Sequence, residues 1–287
     1  MTNSTSGKTA FVLAGGGSFG AIQVGMLREL VRNGIQPELV VGSSVGALNG
    51  AYFAGNPTAA GVASLESIWC GLQRQEIFPL TLRHLVGLFF ESPSLVDSGG
   101  LRHLVERHLP YRNLENAAIP IHITATELLS GASVRLSSGP AIEAILASCA
   151  IPAAFAPVLV GETYLIDGAI ASNTPIMTAV ELGASRLVVL PTGFACALEA
   201  PPATVIANAL HALNLLIAHQ LVRDLEQLTG QVEVITVPPL CPLSVSPYDF
   251  SRARELIERA AENTRRWLES GGMTRQRIPG ALRPHVD

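Results

Sequence analysis

Leu39-Val40-Val41-Gly42-Ser43-Ser44-Val45-Gly46 is the stretch on which the reading of this chain turns. An apolar run enters a Gly-x-Ser-x-Gly turn. The residues that follow, Ala47-Leu48-Asn49-Gly50-Ala51-Tyr52-Phe53-Ala54, have helical character. Strand, tight turn and helix in that order set Ser44 on an elbow above a sheet. Gly42 and Gly46 keep the turn clear, because Ser44 must take a strained backbone conformation there. The serine then sits at a helix N-terminus, where free N–H groups and the helix dipole favour developing negative charge. The pattern predicts a nucleophile and a covalent acyl-enzyme. Taken in isolation, a Gly/Ser-rich turn with no chemistry is the better reading.

Two other segments point the same way. Ala10-Phe11-Val12-Leu13 leads into Ala14-Gly15-Gly16-Gly17-Ser18-Phe19-Gly20, and a helical pattern (Ile22, Met26, Leu27, Leu30, Val31) follows. This is a second strand–glycine loop–helix unit. Successive glycines let backbone N–H groups face an anion without side-chain obstruction. Gly15, Gly17 and Gly20 also fit a dinucleotide fingerprint, which expects an acidic residue at the end of the next strand. That strand ends in Gly42-Ser43-Ser44, with Glu38 at its beginning. An oxyanion hole formed by the N–H groups of Gly16 and Gly17 fits better.

The third segment is Asp167-Gly168-Ala169, after Thr163-Tyr164-Leu165-Ile166. Asp-Gly is a common turn dipeptide. It gains weight by closing an apolar strand in a chain that already offers a nucleophile and an anion loop. A carboxylate with an ordinary pKa of about 4 is ionised at neutral pH. Within hydrogen-bond reach of Ser44 it could take the serine proton directly.

These three segments, in this order, resemble the patatin-like phospholipases. Ser148-Cys149-Ala150-Ile151-Pro152, Asn173-Thr174-Pro175 and Glu181-Leu182-Gly183-Ala184 extend the likeness, which runs from about Lys8 to Pro191. The resemblance implies an α/β fold, three layers of α/β/α with a mostly parallel central sheet. It implies a Ser44–Asp167 dyad with no histidine, Gly16 and Gly17 as oxyanion donors, and no cofactor. Gly15, Ser18, Phe19, Gly20, Gly42, Ser43, Val45, Gly46, Gly168 and Ala169 complete its motifs. The chain departs from the family's pattern at Ala14, where Asp is frequent, and at Phe19, where Arg or Lys is usual.

The chain has 287 residues, 48% of them hydrophobic, with 15% charged and 5% aromatic. That is long enough for a large α/β core. The net charge of −4, with no basic cluster, argues against nucleic acid as a partner. Cysteines at 70, 149, 196 and 241 show no metal-like spacing and read as reduced thiols. No His/Asp/Glu/Cys cluster has the spacing of a metal site. The first residues are polar and lack a signal-peptide core, and no run approaches a membrane span. A cytoplasmic protein, peripheral to membranes at most, is the expectation.

Alternating patterns predict strands over 9–14, 38–43, 120–126, 132–137, 162–166, 186–191 and 231–237. They predict helices over 19–33, 45–54, 58–72, 98–108, 141–147, 175–182, 203–229 and 249–270. Such alternation argues for a parallel sheet covered on both faces, with ligands beyond the strands' carboxyl ends. Asn173 or Thr174 is expected to cap a helix that starts at Pro175, and Gly183 to end it. A single domain over 8–270 with tails at 1–7 and 271–287 is expected. The segment 73–94 breaks the alternation and carries Phe78, Phe89 and Phe90. It reads either as a core-packed excursion or as an apolar lid that meets acyl chains or a membrane surface.

The reading is a serine acyl hydrolase whose partner is a lipid ester or phospholipid, with transient membrane-surface contact and unknown oligomeric state. Two alternatives stay open. One is a Ser-Asp-His esterase using His211 or His219, both inside a predicted helix. The other is an inactive lipid- or acyl-binding protein.

Overall fold

A computed structural model describes residues 7–77, 98–152, 154–193, 205–228, 232–241, 243–247 and 249–274. The strands are β1 (Lys8–Leu13), β2 (Leu39–Ser43), β3 (Ile121–Glu127), β4 (Ser133–Leu136), β5 (Val158–Val160), β6 (Thr163–Ile166), β7 (Ala184–Leu190) and β8 (Glu233–Thr236). The helices are α1 (Gly20–Arg32), α2 (Val45–Gly55), α3 (Ala59–Gly71), α4 (Arg74–Ile77), α5 (Gly99–His108), α6 (Ala141–Ser148), α7 (Ala169–Ser172), α8 (Ile176–Glu181), α9 (Val205–Leu228) and α10 (Ala253–Glu269).

β3, β2, β1, β7 and β8 lie side by side and run parallel, and β4, β5 and β6 join antiparallel at the β3 end. The central strands read as unbroken apolar runs because both faces are covered. Their residues still alternate between two cores. Phe11, Leu13, Val40, Val188 and Leu190 pack with the layer that includes α1, α2, α3 and α10. Ala10, Val12, Leu39, Val41, Leu187 and Val189 pack with Ile176 and Ala179 of α8 and Leu221, Leu225 and Leu228 of α9. The result is the three-layer α/β/α arrangement that the sequence alternation predicts.

One pairing detail positions the site. β4 covers one edge of β3 from Ile123 to Thr126. The other edge is shared. β2 runs along it from Ile121 to Thr124 in parallel, and β6 takes it at Thr126 and Glu127 in the opposite direction. Ser43 sits opposite Thr124 and Ile166 opposite Thr126. Two strands therefore run head-on toward the gap beside Ala125, and the residues that follow them, Ser44 and Asp167, meet there.

Several expectations shift. β5, α4 and α7 are additional elements of one turn or less of regular structure. The helix expected from Pro175 begins at Ile176, with Pro175 as its N-cap. Neither Asn173 nor Thr174 caps it through its side chain; Asn173 Oδ1 and Thr174 Oγ1 are buried without a partner. Gly183 does end it, at φ 84°. Of the segment 73–94, residues 74–77 form α4, while Phe78, Phe89 and Phe90 lie outside the described residues. The tails at 1–6 and 275–287 lie outside them as well.

Candidate active site

Ser44 is the one non-glycine residue with positive φ among the described residues (φ 52°, ψ −125°). The strain is held from two sides. α2 starts at Val45, and the Ser44 carbonyl accepts from Ala47 and Leu48 N–H. The Ser44 N–H donates to Ser148 Oγ at 2.8 Å. Backbone strain of this kind costs on the order of 1–3 kcal/mol and persists only where the surroundings enforce it.

Asp167 arrives from β6. Its N–H donates to the Ala150 carbonyl at 3.0 Å, and its carbonyl accepts from Thr126 Oγ1 at 2.8 Å. The next residue has to be glycine. A Cβ at Gly168 would stand 2.2 Å from Thr124 O and 2.6 Å from Ser43 Oγ. With that close approach, Ser44 Oγ donates to Asp167 Oδ2 at 2.7 Å. The other oxygen, Oδ1, accepts from the Ala169 N–H at 2.8 Å, where α7 begins. Both carboxylate oxygens are thus engaged.

Ser44 is 6% exposed and Asp167 3%. Burial pushes the Asp167 carboxyl up to about 6, against the lowering effect of the Ala169 N–H and the Ser44 hydroxyl. Burial, with the nearby Asp167 charge, also raises the Cys149 thiol well above its ordinary value, so that thiol stays neutral.

The glycine loop borders the same spot. A Cβ on Gly15 would lie 3.0 Å from Ser44 Cβ and 2.4 Å from Asn173 Oδ1. The Gly15 N–H donates to Asn173 O, and the Ser18 N–H donates to Pro247 O at 2.7 Å. Between them, the N–H groups of Gly16 (φ 153°) and Gly17 (φ 57°) have no partner among the described residues. Phe19 is buried at 2% exposure in the core, and Gly20 opens α1. Gly42 lies in β2, and Val45 and Gly46 form the first turn of α2.

The loop is supported from beneath by residues that the motifs do not flag. Gln23 Nε2 donates to the carbonyls of Ala14 (2.8 Å) and Leu190 (3.0 Å). Gln23 Oε1 accepts from Asn49 Nδ2 at 2.9 Å, and Asn49 Oδ1 accepts from Trp69 Nε1 at 2.9 Å. Thr192 Oγ1 donates to Gly15 O at 2.6 Å. Polar Gln23 and Asn49 amid apolar helix faces were the available signal. Ser148 stands in a quoted segment, but nothing local to it betrays its bond to Ser44.

The histidines His211 and His219 fall on α9, and their side chains lie outside the described residues. No group of His, Cys, Asp and Glu suited to a metal ion occurs among the described residues. No described helix is long and apolar enough to cross a membrane.

A family model described as Patatin-like phospholipase matches residues 11–180. The chain belongs to the patatin-like phospholipase family. Patatin-like phospholipase domain-containing protein 7 of Rattus norvegicus is 25% identical over 191 residues, 66% of this chain and 14% of that protein. An uncharacterized NTE family protein of Mycobacterium bovis is 32% identical over 181 residues, 61% of this chain and 46% of that one. The chain therefore spans less than half the length of these curated relatives. Among solved structures, human GIVD cytosolic phospholipase A2 bound to a fluorophosphonate inhibitor and terbium chloride gives a TM-score of 0.50 at 12% identity. That match covers 96% of this chain and 59% of the other. At that identity the likeness is one of fold.

Proposed function

We propose that this chain is a serine acyl hydrolase of lipid esters working through a Ser44–Asp167 dyad. The observation that carries the reading is the 2.7 Å hydrogen bond from Ser44 Oγ to a buried carboxylate whose pKa is about 6. A base near 6 is still mostly ionised at neutral pH and is a stronger proton acceptor than an ordinary aspartate.

Asp167 takes the Ser44 proton as Oγ attacks the ester carbonyl. The carbonyl oxygen gains the charge, and the unpartnered N–H groups of Gly16 and Gly17 are the donors proposed to receive it. Collapse of the tetrahedral species returns the proton from Asp167 to the departing alcohol. A water then loses its proton to Asp167 and attacks the acyl-serine, and collapse releases the fatty acid as Asp167 returns the proton to Ser44 Oγ. No step calls for a cofactor.

Family membership and the fold likeness support a lipid ester or phospholipid as substrate. The same reading places one hydrolase domain over 8–270 and the protein in the cytoplasm, with transient contact to a membrane surface. Free Cys70 and Cys149 agree with a reducing compartment.

A fluorophosphonate probe tests the proposal. Ser44 is expected to be labelled in the native protein and not in Ser44→Ala. Absence of labelling sinks the hydrolase and leaves a lipid-binding protein. Labelling that survives Asp167→Asn but fails in His211→Ala or His219→Ala moves the mechanism to a triad.

A further inference from the structure

β3 continues beyond its last pairing with β2 at Thr124, and the added length carries apolar side chains into solvent. β3 and β4 turn back at 128–132, where the Glu127 N–H donates to Ala132 O and the Gly131 N–H to Glu127 O. β5 and β6 turn back at Gly161 and Glu162, since Val160 pairs with Thr163. The Leu128 N–H donates to Tyr164 O, and Tyr164 pairs with Leu159. Leu128, Tyr164 and Leu159 thus form one row across three strands, on one face of the sheet. Opposite residues of neighbouring strands share a face, so the row lies on the same face as Thr126 and Ile166. α7 sits on that face, because the Ala171 N–H donates to Thr126 Oγ1.

The side chains of the row and its neighbours at the tip and on α7 are exposed. Leu129, at the hairpin tip, is 89% exposed, and Leu128, Leu159, Tyr164 and Ile170 of α7 are each at least 40% exposed. Scattered surface leucines need no explanation, but a contiguous apolar ledge does. Three residues of strand separate the Ser44–Asp167 level from Leu128, so the ledge stands about 10 Å above the reactive pair. Ile170, on α7, follows Asp167 by three positions.

We propose that this ledge is the surface by which the protein docks on a zwitterionic or uncharged lipid aggregate, with Leu129 as the inserting tip. The proposal rests on the hydrolase reading for its choice of partner. A lipid ester resides in a bilayer or droplet, and the ledge delivers the mouth of the site to that surface. Leucines at hairpin tips with a tyrosine beside them suit the zone where acyl chains meet headgroups. Charge selects the kind of surface. Segments 127–132 and 158–172 hold Glu127 and Glu162 at the surface and contain no Lys, Arg or His, and the exposed Arg135 of β4 lies on the same face but back at the level of Thr124. The tip therefore offers anionic headgroups no cation to pair with.

Sedimentation of the full chain with phosphatidylcholine vesicles, in a Ser44→Ala background, reads docking without catalysis. Binding is expected, with an affinity about tenfold lower for the pair Leu129→Ser and Leu159→Ser, and lower for phosphatidylserine vesicles than for phosphatidylcholine. Leu129→Trp is expected to bind more tightly and to show a blue-shifted emission on vesicles. In the active background, the serine pair is expected to hydrolyse a water-soluble short-chain ester within about twofold of the parent. Equal vesicle binding by parent and serine pair overturns the proposal, as does a parent that ignores phosphatidylcholine. So does sedimentation velocity showing that the substitutions dissolve a dimer, for then a second copy covers the ledge. If no ester is hydrolysed while the serine pair loses its vesicles, the ledge stands and the hydrolase reading falls.

Discussion

Ser148 and Ser44 are joined through a hydroxyl and a backbone amide. The Ser148 hydroxyl accepts from the Ser44 N–H at 2.8 Å and donates its own proton to the Thr124 carbonyl at 2.7 Å. The elbow is thereby tied to β3, the strand whose shared edge brings β2 and β6 together. The Ser44 N–H is spoken for and is no oxyanion donor.

Ser148→Ala leaves the Ser44 N–H and the Thr124 carbonyl short of a buried partner. A loss of about 1–3 kcal/mol in stability is expected. Release of the strained elbow should lower kcat on the order of tenfold with little change in KM. A normal kcat in a merely destabilised variant would make Ser148 a packing residue and nothing more.

Ser44→Ala and Asp167→Asn are each expected to remove nearly all esterase activity while circular dichroism remains native. Members of a unit are non-additive, so the double variant should be little worse than either single. Multiplying rate losses in the double would show that the two side chains act independently.

The pH dependence of the Asp167 site has two opposite signs. With Asp167 as the proposed base, activity requires its carboxylate, so kcat/KM should rise with pH and level off above an apparent pKa of about 6. Stability should run the other way. The folded-state pKa lies above the ordinary 3.8, so the folded protein binds more protons than the unfolded chain between those values. Stability from this group is greatest at low pH and falls as pH rises through that window, by roughly 3 kcal/mol at most. Asp167→Asn should abolish that part of the slope and melt higher than the parent at pH 7. A variant that melts lower, with an unchanged slope, would contradict the buried, raised carboxyl.

Much of this architecture is local and was readable for that reason. The elbow, the glycine loop and Asp167-Gly168 each sit where an apolar strand ends, and strand ends are marked by composition. What joins them is not local. That β2 and β6 share one edge of β3 is a fact of pairing, and no periodicity in either segment specifies it. Short elements escape as well: α7 is one turn that follows from Asp167 receiving the Ala169 N–H, and β5 is three residues that exist by pairing with β6. The expected cap at Asn173 or Thr174 failed because Pro175 takes the N-cap place, leaving both side chains buried beside the glycine loop and α8.

Gly17 has φ 57°, and a Cβ there would stand 2.4 Å from Pro247 O. Gly17→Ala must shift the loop and its N–H groups. A fall in kcat on the order of a hundredfold is expected, with smaller change in KM, as befits donors that act on the transition state. The rate of fluorophosphonate labelling should fall in parallel, since that reaction also places charge on the same oxygen. Unaltered labelling with slow turnover would assign Gly17 to a later step.

The chain of amides from Trp69 through Asn49 and Gln23 to the Ala14 and Leu190 carbonyls is buried and fully satisfied. Asn49 Nδ2 also donates to the Gly20 carbonyl at 2.9 Å, so the chain grips the loop at both of its ends. Gln23→Leu keeps the volume and removes every bond, orphaning the Ala14 carbonyl and one Asn49 Nδ2 proton in the core, while the Leu190 carbonyl keeps the Ala14 N–H. A destabilisation of about 2–4 kcal/mol is expected from denaturant midpoints. Because each amide orients the next, Gln23→Leu and Asn49→Leu should be strongly coupled, with the double variant costing about 1–2 kcal/mol less than the sum of the singles. A slower labelling rate at Ser44 in Gln23→Leu, under conditions where the variant is folded, would show that the amides set the loop's geometry as well as its stability. Additive free energies together with native labelling would reduce the chain to ordinary core packing.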